Sequence, residues 1–302
     1  MRIRMQPSRR GGFTLIELLV VVSILALLIG LTMAGISRVR AVQHARTTET
    51  TVKKLQVAFN QQVVATFDQA NDEKHPYFPF ALQYCDGDKD RAKSLLAYAY
   101  VKRDFPQTFK DATTTYNFGT FSIQPHKAFA KIPTAPSGLT ADQESAVLLY
   151  MIINDLAKRG TTIDPDGSLA SSEMVIGNYK AYKDGYGSHI AFRRWYGPFD
   201  GADAAELQSA PYVNPKDPSF DPFDRLGKLK NWSNAPSRTA ALAVLNSPAG
   251  SPPVAFDGLN KVIAVLSSGP DKKFGPAFGG AVGDEQDNFQ GYRLARIGNT
   301  GN

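Results

Sequence analysis

The chain has 302 residues, 43% of them hydrophobic and 21% charged, with 34 Lys+Arg against 28 Asp+Glu for a formal charge of +6. That length suffices for one large or two small domains with a real core, and the apolar and aromatic content excludes a mostly disordered chain. Arg2, Arg4, Arg9 and Arg10 supply four of the surplus charges within the first twelve residues, which hold no acid, and the remainder counts 30 basic against 28 acidic side chains; the basic balance is therefore an N-terminal signal and gives no reason to expect nucleic acid as a partner.

The first element in chain order is an apolar run over residues 13–36, in which Glu17 is the one charged side chain. Residues 18–36 give 19 positions without a charge, close to the roughly 20 that span a bilayer as a helix. The run is apolar on all sides, unlike an amphipathic core helix. Arginines precede it, which suits a cytoplasmic N-terminus, but Arg38, Arg40, Arg46, Lys53 and Lys54 follow it, so charge alone sets the orientation weakly. No small-residue cleavage site follows the run, as a secretory signal would require; Gly11 and Gly12 precede it instead. Beyond the span, Val52, Leu55, Phe59, Val63 and Phe67 form a narrow stripe at helical spacing. The helix is expected to continue to Gln69, before Asn71-Asp72 and His75-Pro76, a length of roughly 85 Å from Phe13 at about 1.5 Å per residue.

The residues Arg9-Arg10-Gly11-Gly12-Phe13-Thr14-Leu15-Ile16-Glu17-Leu18 resemble the prepilin cleavage and methylation motif of type IV pilins and type II secretion pseudopilins. The resemblance implies cleavage between Gly12 and Phe13 by prepilin peptidase at the cytoplasmic face, N-methylation of Phe13, and an N-in orientation with the following domain in the periplasm. It further implies that Glu17, fifth residue of the mature chain, pairs with the N-terminal amine of a neighbouring subunit during assembly. Read by itself, a carboxylate there is costly unless paired or protonated, or else snorkels to the interface.

From residue 71 onward Pro, Gly, aromatics and mixed charges appear, with no second apolar run of membrane length. Residues 88–104 read as a helix with acids at its start, and Thr140-Ala141-Asp142-Gln143 opens another with a capping-box pattern. Val147, Leu148, Met151, Ile152 and Leu156 supply the apolar face of that second helix and Gly160 its stop. Residues 188–196, 261–267 and 291–297 read as strands, and the Pro-rich stretch 197–236 as loop with short helical pieces. Strands gathered after helices indicate an α+β fold with an antiparallel sheet. The expected organisation is a leader at 1–12, the membrane half of a long helix at 13–36, its extramembrane half at 37–70, and a globular domain at 71–302.

Two further stretches are similar to major pseudopilins. Asp184-Gly185-Tyr186-Gly187-Ser188-His189-Ile190-Ala191-Phe192 is similar to their hairpin entry, with Tyr186 in place of Trp and His189 in place of Pro. Ser267-Ser268-Gly269-Pro270-Asp271-Lys272-Lys273-Phe274-Gly275, running on to Asp284-Glu285-Gln286-Asp287, is similar to their C-terminal loop, which binds calcium. Lys272 stands where that loop has Gly, and residues 276–283 are inserted. Asp271, Asp284 and Asp287 are the candidate calcium ligands, since calcium takes six to eight oxygens from carboxylates, carbonyls and water; an ordinary solvated acidic loop is the competing reading.

Other features read as structural. Residues 162–173 match an EF-hand loop in part, but Thr162 replaces the first acid and Pro165 intrudes, which favours a turn. Asp86, Asp88 and Asp90 suit the N-terminus of the next helix. Cys85, the single cysteine, is expected in the core, and Arg193-Arg194-Trp195-Tyr196 reads as a half-buried strand with exposed arginines. There is no phosphate-binding glycine loop, no zinc-type histidine pairing and no nucleophile elbow. The expected function is that of a type II secretion pseudopilus subunit with no enzymatic activity. Its partners would be prepilin peptidase, other pseudopilins and the inner-membrane assembly platform. The alternatives are a minor pseudopilin, a type IV pilin subunit, or an envelope enzyme or binding domain on a pilin-type anchor.

Overall fold

The computed structural model describes residues 14–133, 138–156, 167–196, 220–248, 254–256, 262–279, 281 and 287–291. The chain divides into two compact units, the first ending at His44 and the second beginning at Ala45. Helix α1, Leu15–Asn71, enters both.

In the first unit α1 carries the apolar run, and its large apolar side chains are exposed from Leu15 through Val42. By length and composition this segment is able to cross a membrane. Its hydroxyls are satisfied within the helix: Ser23 Oγ donates to the Leu19 carbonyl at 2.8 Å and Thr32 Oγ1 to the Leu28 carbonyl at 2.7 Å. Back-bonding of this kind lets a polar side chain sit in hydrocarbon without an unpaired donor.

The second unit is an α+β domain built around the remainder of α1. The stripe places Val52, Leu55, Phe59 and Val63 in the core. Phe59 sits with its ring centroid 5.0 Å from both Phe105 and Phe192, so Phe59→Ala would leave a cavity costing about 3–5 kcal/mol. Phe67, the last of the stripe, stacks on Phe223 at 5.3 Å.

Helix α2, Phe78–Tyr84, packs on α3, Lys89–Asp104. Asp88 is the N-cap of α3, its side chain accepting from the backbone N–H groups of Asp90 and Arg91, which satisfies donors that a helix start leaves open. Cys85 is buried in the core. A short α4, Phe109–Ala112, leads to the hairpin β1, Tyr116–Asn117, and β2, Ser122–Ile123. Helix α5, Ala141–Asn154, begins as the sequence pattern predicts, with Gln143 Oε1 accepting from the Thr140 N–H at 3.1 Å. Leu156 is buried just past its end, and Gly160 lies outside the described residues. The hairpin β3, Glu173–Ile176, and β4, Tyr179–Tyr182, packs on α5. The EF-hand-like stretch is described only from Gly167 onward, and its Glu173 is engaged with Lys180 at 2.8 Å and Tyr150 at 2.9 Å.

The main sheet is antiparallel, in the order β5, Ile190–Tyr196, then β6, Val262–Ser267, then β7, Phe289–Gln290. Strand β6 is buried along its whole length, which explains its unbroken apolar run. Helix α6, Ala235–Leu245, was not read from the sequence; Asn234 caps it by accepting from the Ser237 N–H. The expected third strand, 291–297, lies outside the described residues beyond Gly291, and β7 precedes it.

One expectation is corrected. Arg194 is 0% exposed and Arg193 is half-buried, whereas exposed arginines were expected. Its Nη1 donates to Asp111 Oδ2 at 2.6 Å and to the Phe105 carbonyl at 3.0 Å. Asp111 Oδ1 also accepts from the Tyr116 hydroxyl at 2.6 Å and lies 3.3 Å from Lys102 Nζ. Two buried cations thus share one buried carboxylate, and Lys102 ties α3 to the end of α6 through the Leu245 and Ser247 carbonyls at 2.6 and 2.8 Å. A buried cation is tolerable only with such partners.

Candidate functional site

The first candidate site is the start of α1. Gly12 and Phe13 lie outside the described residues; Glu17 does not. Its Oε2 accepts from the Thr14 backbone N–H at 2.8 Å and from Thr14 Oγ1 at 2.9 Å, while the Glu17 N–H approaches Thr14 Oγ1 at 3.3 Å. This is a reciprocal capping box, with Thr14 as the cap and Glu17 three residues into the helix. The arrangement gives the carboxylate two donors within its own chain and places negative charge at the positive end of the helix. Thr14 was missed as a functional partner of Glu17, although Thr-x-x-Glu ahead of an apolar run is the sequence signature of such a cap.

The second candidate site is the C-terminal loop, and here the two similar stretches come together. Asp184 turns the hairpin entry, its Oδ1 accepting from the Tyr186 and Ser188 N–H groups at 2.9 and 2.8 Å. Its Oδ2 accepts from Ser267 Oγ at 2.7 Å, and burial pushes the carboxyl above the ordinary Asp range. Ser267 Oγ accepts in turn from the Gly269 N–H at 3.2 Å. The Gly185 N–H donates to Thr48 Oγ1 at 2.9 Å, which fastens this turn to α1.

Gly269 has a φ of +66°, and a Cβ added there would meet the Asp287 carbonyl oxygen at 2.5 Å. Only glycine meets both conditions. The loop is thereby brought against Asp287, whose Oδ2 lies 3.4 Å from the Asp271 N–H. Asp271 Oδ1 accepts from the Lys273 N–H at 2.9 Å, and Lys272 adopts a φ of +64°, a conformation that favours the glycine it replaces. Two of the three candidate ligands are therefore neighbours; Asp284 lies outside the described residues. Ser268 Oγ and Asn288 Oδ1, on the same two segments, are buried without a hydrogen-bond partner among the described residues. Two carboxylates and two such oxygens are fewer than the six to eight oxygens that calcium takes. Among the described residues no group of three or more His, Cys, Asp and Glu side chains gathers in metal-binding geometry.

Cys85 is unsuited to thiol chemistry, because burial pushes its thiol up to about 12. His189 pairs with Asp142 at 2.8 Å and packs against Phe274, so it fastens α5 to the loop.

Residues 7–33 match the family model for the prokaryotic N-terminal methylation motif. The matched stretch takes in the end of the basic leader, Gly12, Phe13, Glu17 and most of the apolar span, and it supports a type IV pilin-like chain. No match of significance was found among curated proteins or among solved structures.

Proposed function

We propose that this pilin-like chain is a structural subunit of a type II secretion pseudopilus. Prepilin peptidase cuts it between Gly12 and Phe13 and methylates the new amine, and the assembly platform of the inner membrane then extracts it into a periplasmic filament. The observation that carries the reading is the methylation motif on an apolar helix that runs without a break into an α+β domain. Before assembly, Thr14 holds the Glu17 carboxylate. On assembly, the amine of Phe13 in a neighbouring subunit replaces that donor and turns a local cap into a contact between subunits. The work is done by helix packing and needs no active site. The C-terminal loop is the proposed calcium site, with Asp271, Asp284 and Asp287 as ligands; the bound ion would neutralise their mutual repulsion and fix the loop against the hairpin entry.

The test is assembly in cells that carry a complete secretion apparatus. Chain that sediments as sheared filaments, with Glu17→Ala cleaved normally but absent from that fraction, supports the reading. Normal filament yield from Glu17→Ala would refute it.

A further inference from the structure

The cations just beyond the span run against the usual bias. With the N-terminus cytoplasmic, Arg38 and Arg40 lie at the far side of the membrane, where basic residues are normally depleted. Both are exposed on α1. The nearest acidic residues along the helix, Glu17 and Glu49, are at least nine positions from either one, too far for a pair within the helix. Two positions on a helix of 3.6 residues per turn differ by about 200°, so Arg38 and Arg40 project to nearly opposite sides. A protein partner would be met by one face. Cations on opposite sides, two and four residues past the last apolar position of the span, suit a surface that surrounds the helix at one depth: the headgroup layer of a bilayer.

We propose that Arg38 and Arg40 form a belt that binds the phosphates of anionic lipids in the leaflet facing the globular domain. The proposal rests on the membrane reading above. It has a consequence for processing. The uncut chain carries Arg2, Arg4, Arg9 and Arg10 at one end of the span and the belt at the other. Cleavage after Gly12 removes all four. No Lys or Arg lies between Phe13 and Ile36, so the cut chain keeps cationic side chains only at the domain end. Leader removal thus leaves the Phe13 amine as the one cation at the cytoplasmic end while the belt still sets the depth of the helix at the other, which weakens the cytoplasmic hold on anionic headgroups and favours movement toward the domain side.

The test uses the full chain, before and after cutting with prepilin peptidase, in phosphatidylcholine vesicles with phosphatidylglycerol in one leaflet. Spin-labelled phosphatidylglycerol and phosphatidylcholine report which lipid contacts the span. The expected result is that the cut chain prefers phosphatidylglycerol more strongly when it lies in the domain-side leaflet than when it lies in the other. The preference should be weakened by salt, be about five-fold per arginine at low salt, vanish in Arg38→Gln/Arg40→Gln, and persist in Lys53→Gln/Lys54→Gln. No preference in the cut chain, a preference that survives in Arg38→Gln/Arg40→Gln, or one lost equally in the lysine variant overturns the proposal. Alkaline carbonate extraction of the same vesicles separates this from failure of the membrane reading: chain released by carbonate removes both.

Discussion

The side-chain amide of Gln56 on α1 accepts a hydrogen bond from the Val265 N–H at 2.7 Å and donates to the Ile263 carbonyl at 3.0 Å, so a glutamine takes the place of a neighbouring strand on β6. Among the described residues β7 pairs with β6 at Leu266 and Ser267, and Gln56 bonds β6 next to that pairing. Gly291 passes so close that a Cβ there would lie 2.7 Å from Gln56 Oε1. The opposite edge of the sheet is covered in the same way. Gln107 donates to the Phe192 carbonyl at 2.6 Å and accepts from the Arg194 N–H at 2.8 Å. An uncovered edge would invite strand pairing with another chain.

Gln56→Ala removes both bonds and leaves a donor and an acceptor of a buried strand unpaired. The expected loss is about 2–4 kcal/mol. Val57→Ala, one position along and exposed on α1, should change stability by less than about 0.5 kcal/mol. Urea unfolding of the detergent-solubilised protein, followed by the fluorescence of Trp195 and Trp232, measures both.

Asp111→Ala strands Lys102 and Arg194 as buried cations without their shared carboxylate and should cost about 3–5 kcal/mol in the same unfolding experiment. The network also predicts a pH dependence. Burial, with Arg194 nearby, brings Lys102 down from its ordinary 10.5 to about 8. Above pH 8 the folded chain loses this proton while the unfolded chain keeps it, so the Lys102 contribution rises with pH, by at most about 1.4 kcal/mol per unit. From pH 9 the raised Cys85 thiol acts in the opposite direction, because the unfolded chain ionises first. Between pH 8 and 9, then, wild type should gain stability relative to Lys102→Met. Parallel slopes for the two proteins would sink this account.

The C-terminal loop predicts a response to metal removal. Chelator should lower the melting temperature of the protein, added calcium should restore it, and Asp271→Ala should abolish the response. Gly269→Ala, strained by its positive φ and by the Asp287 carbonyl, should destabilise the protein by about 1–3 kcal/mol and remove the calcium effect with it. A melt indifferent to chelator and calcium removes the ion from the account.

Thr14→Val deletes the hydroxyl that holds Glu17, whereas Thr14→Ser retains it. The valine variant, with one competing donor removed, should be cleaved normally and yield more filaments, and the serine variant should match wild type. Quantitative blotting of the sheared fraction decides between them.

The parts of the fold carried by local pattern were legible in the sequence. The span followed from residue type and length, the core face of α1 from the spacing of Val52 to Val63, and the start of α5 from Thr140 and Gln143. The missed features depend on residues far apart in the chain. A buried Arg194 makes sense only beside Asp111, which lies 83 residues away. Nothing local marks Gln56 or Gln107 for its role, which depends on the sheet that each one bonds. Helix α6 follows a Pro-rich stretch and buries little beyond Ala241 and Leu245, so its periodicity is faint. At the candidate sites, the motif pointed to Glu17 directly, while the role of Gly269 required the position of Asp287.

Mass spectrometry of the N-terminus of the protein from its native membrane tests the central claim most directly. The account predicts a mature chain that begins at Phe13, carries one methyl group on its amine and lacks the four leader arginines. A chain that retains Gly12, or that is cut at another position, would contradict it.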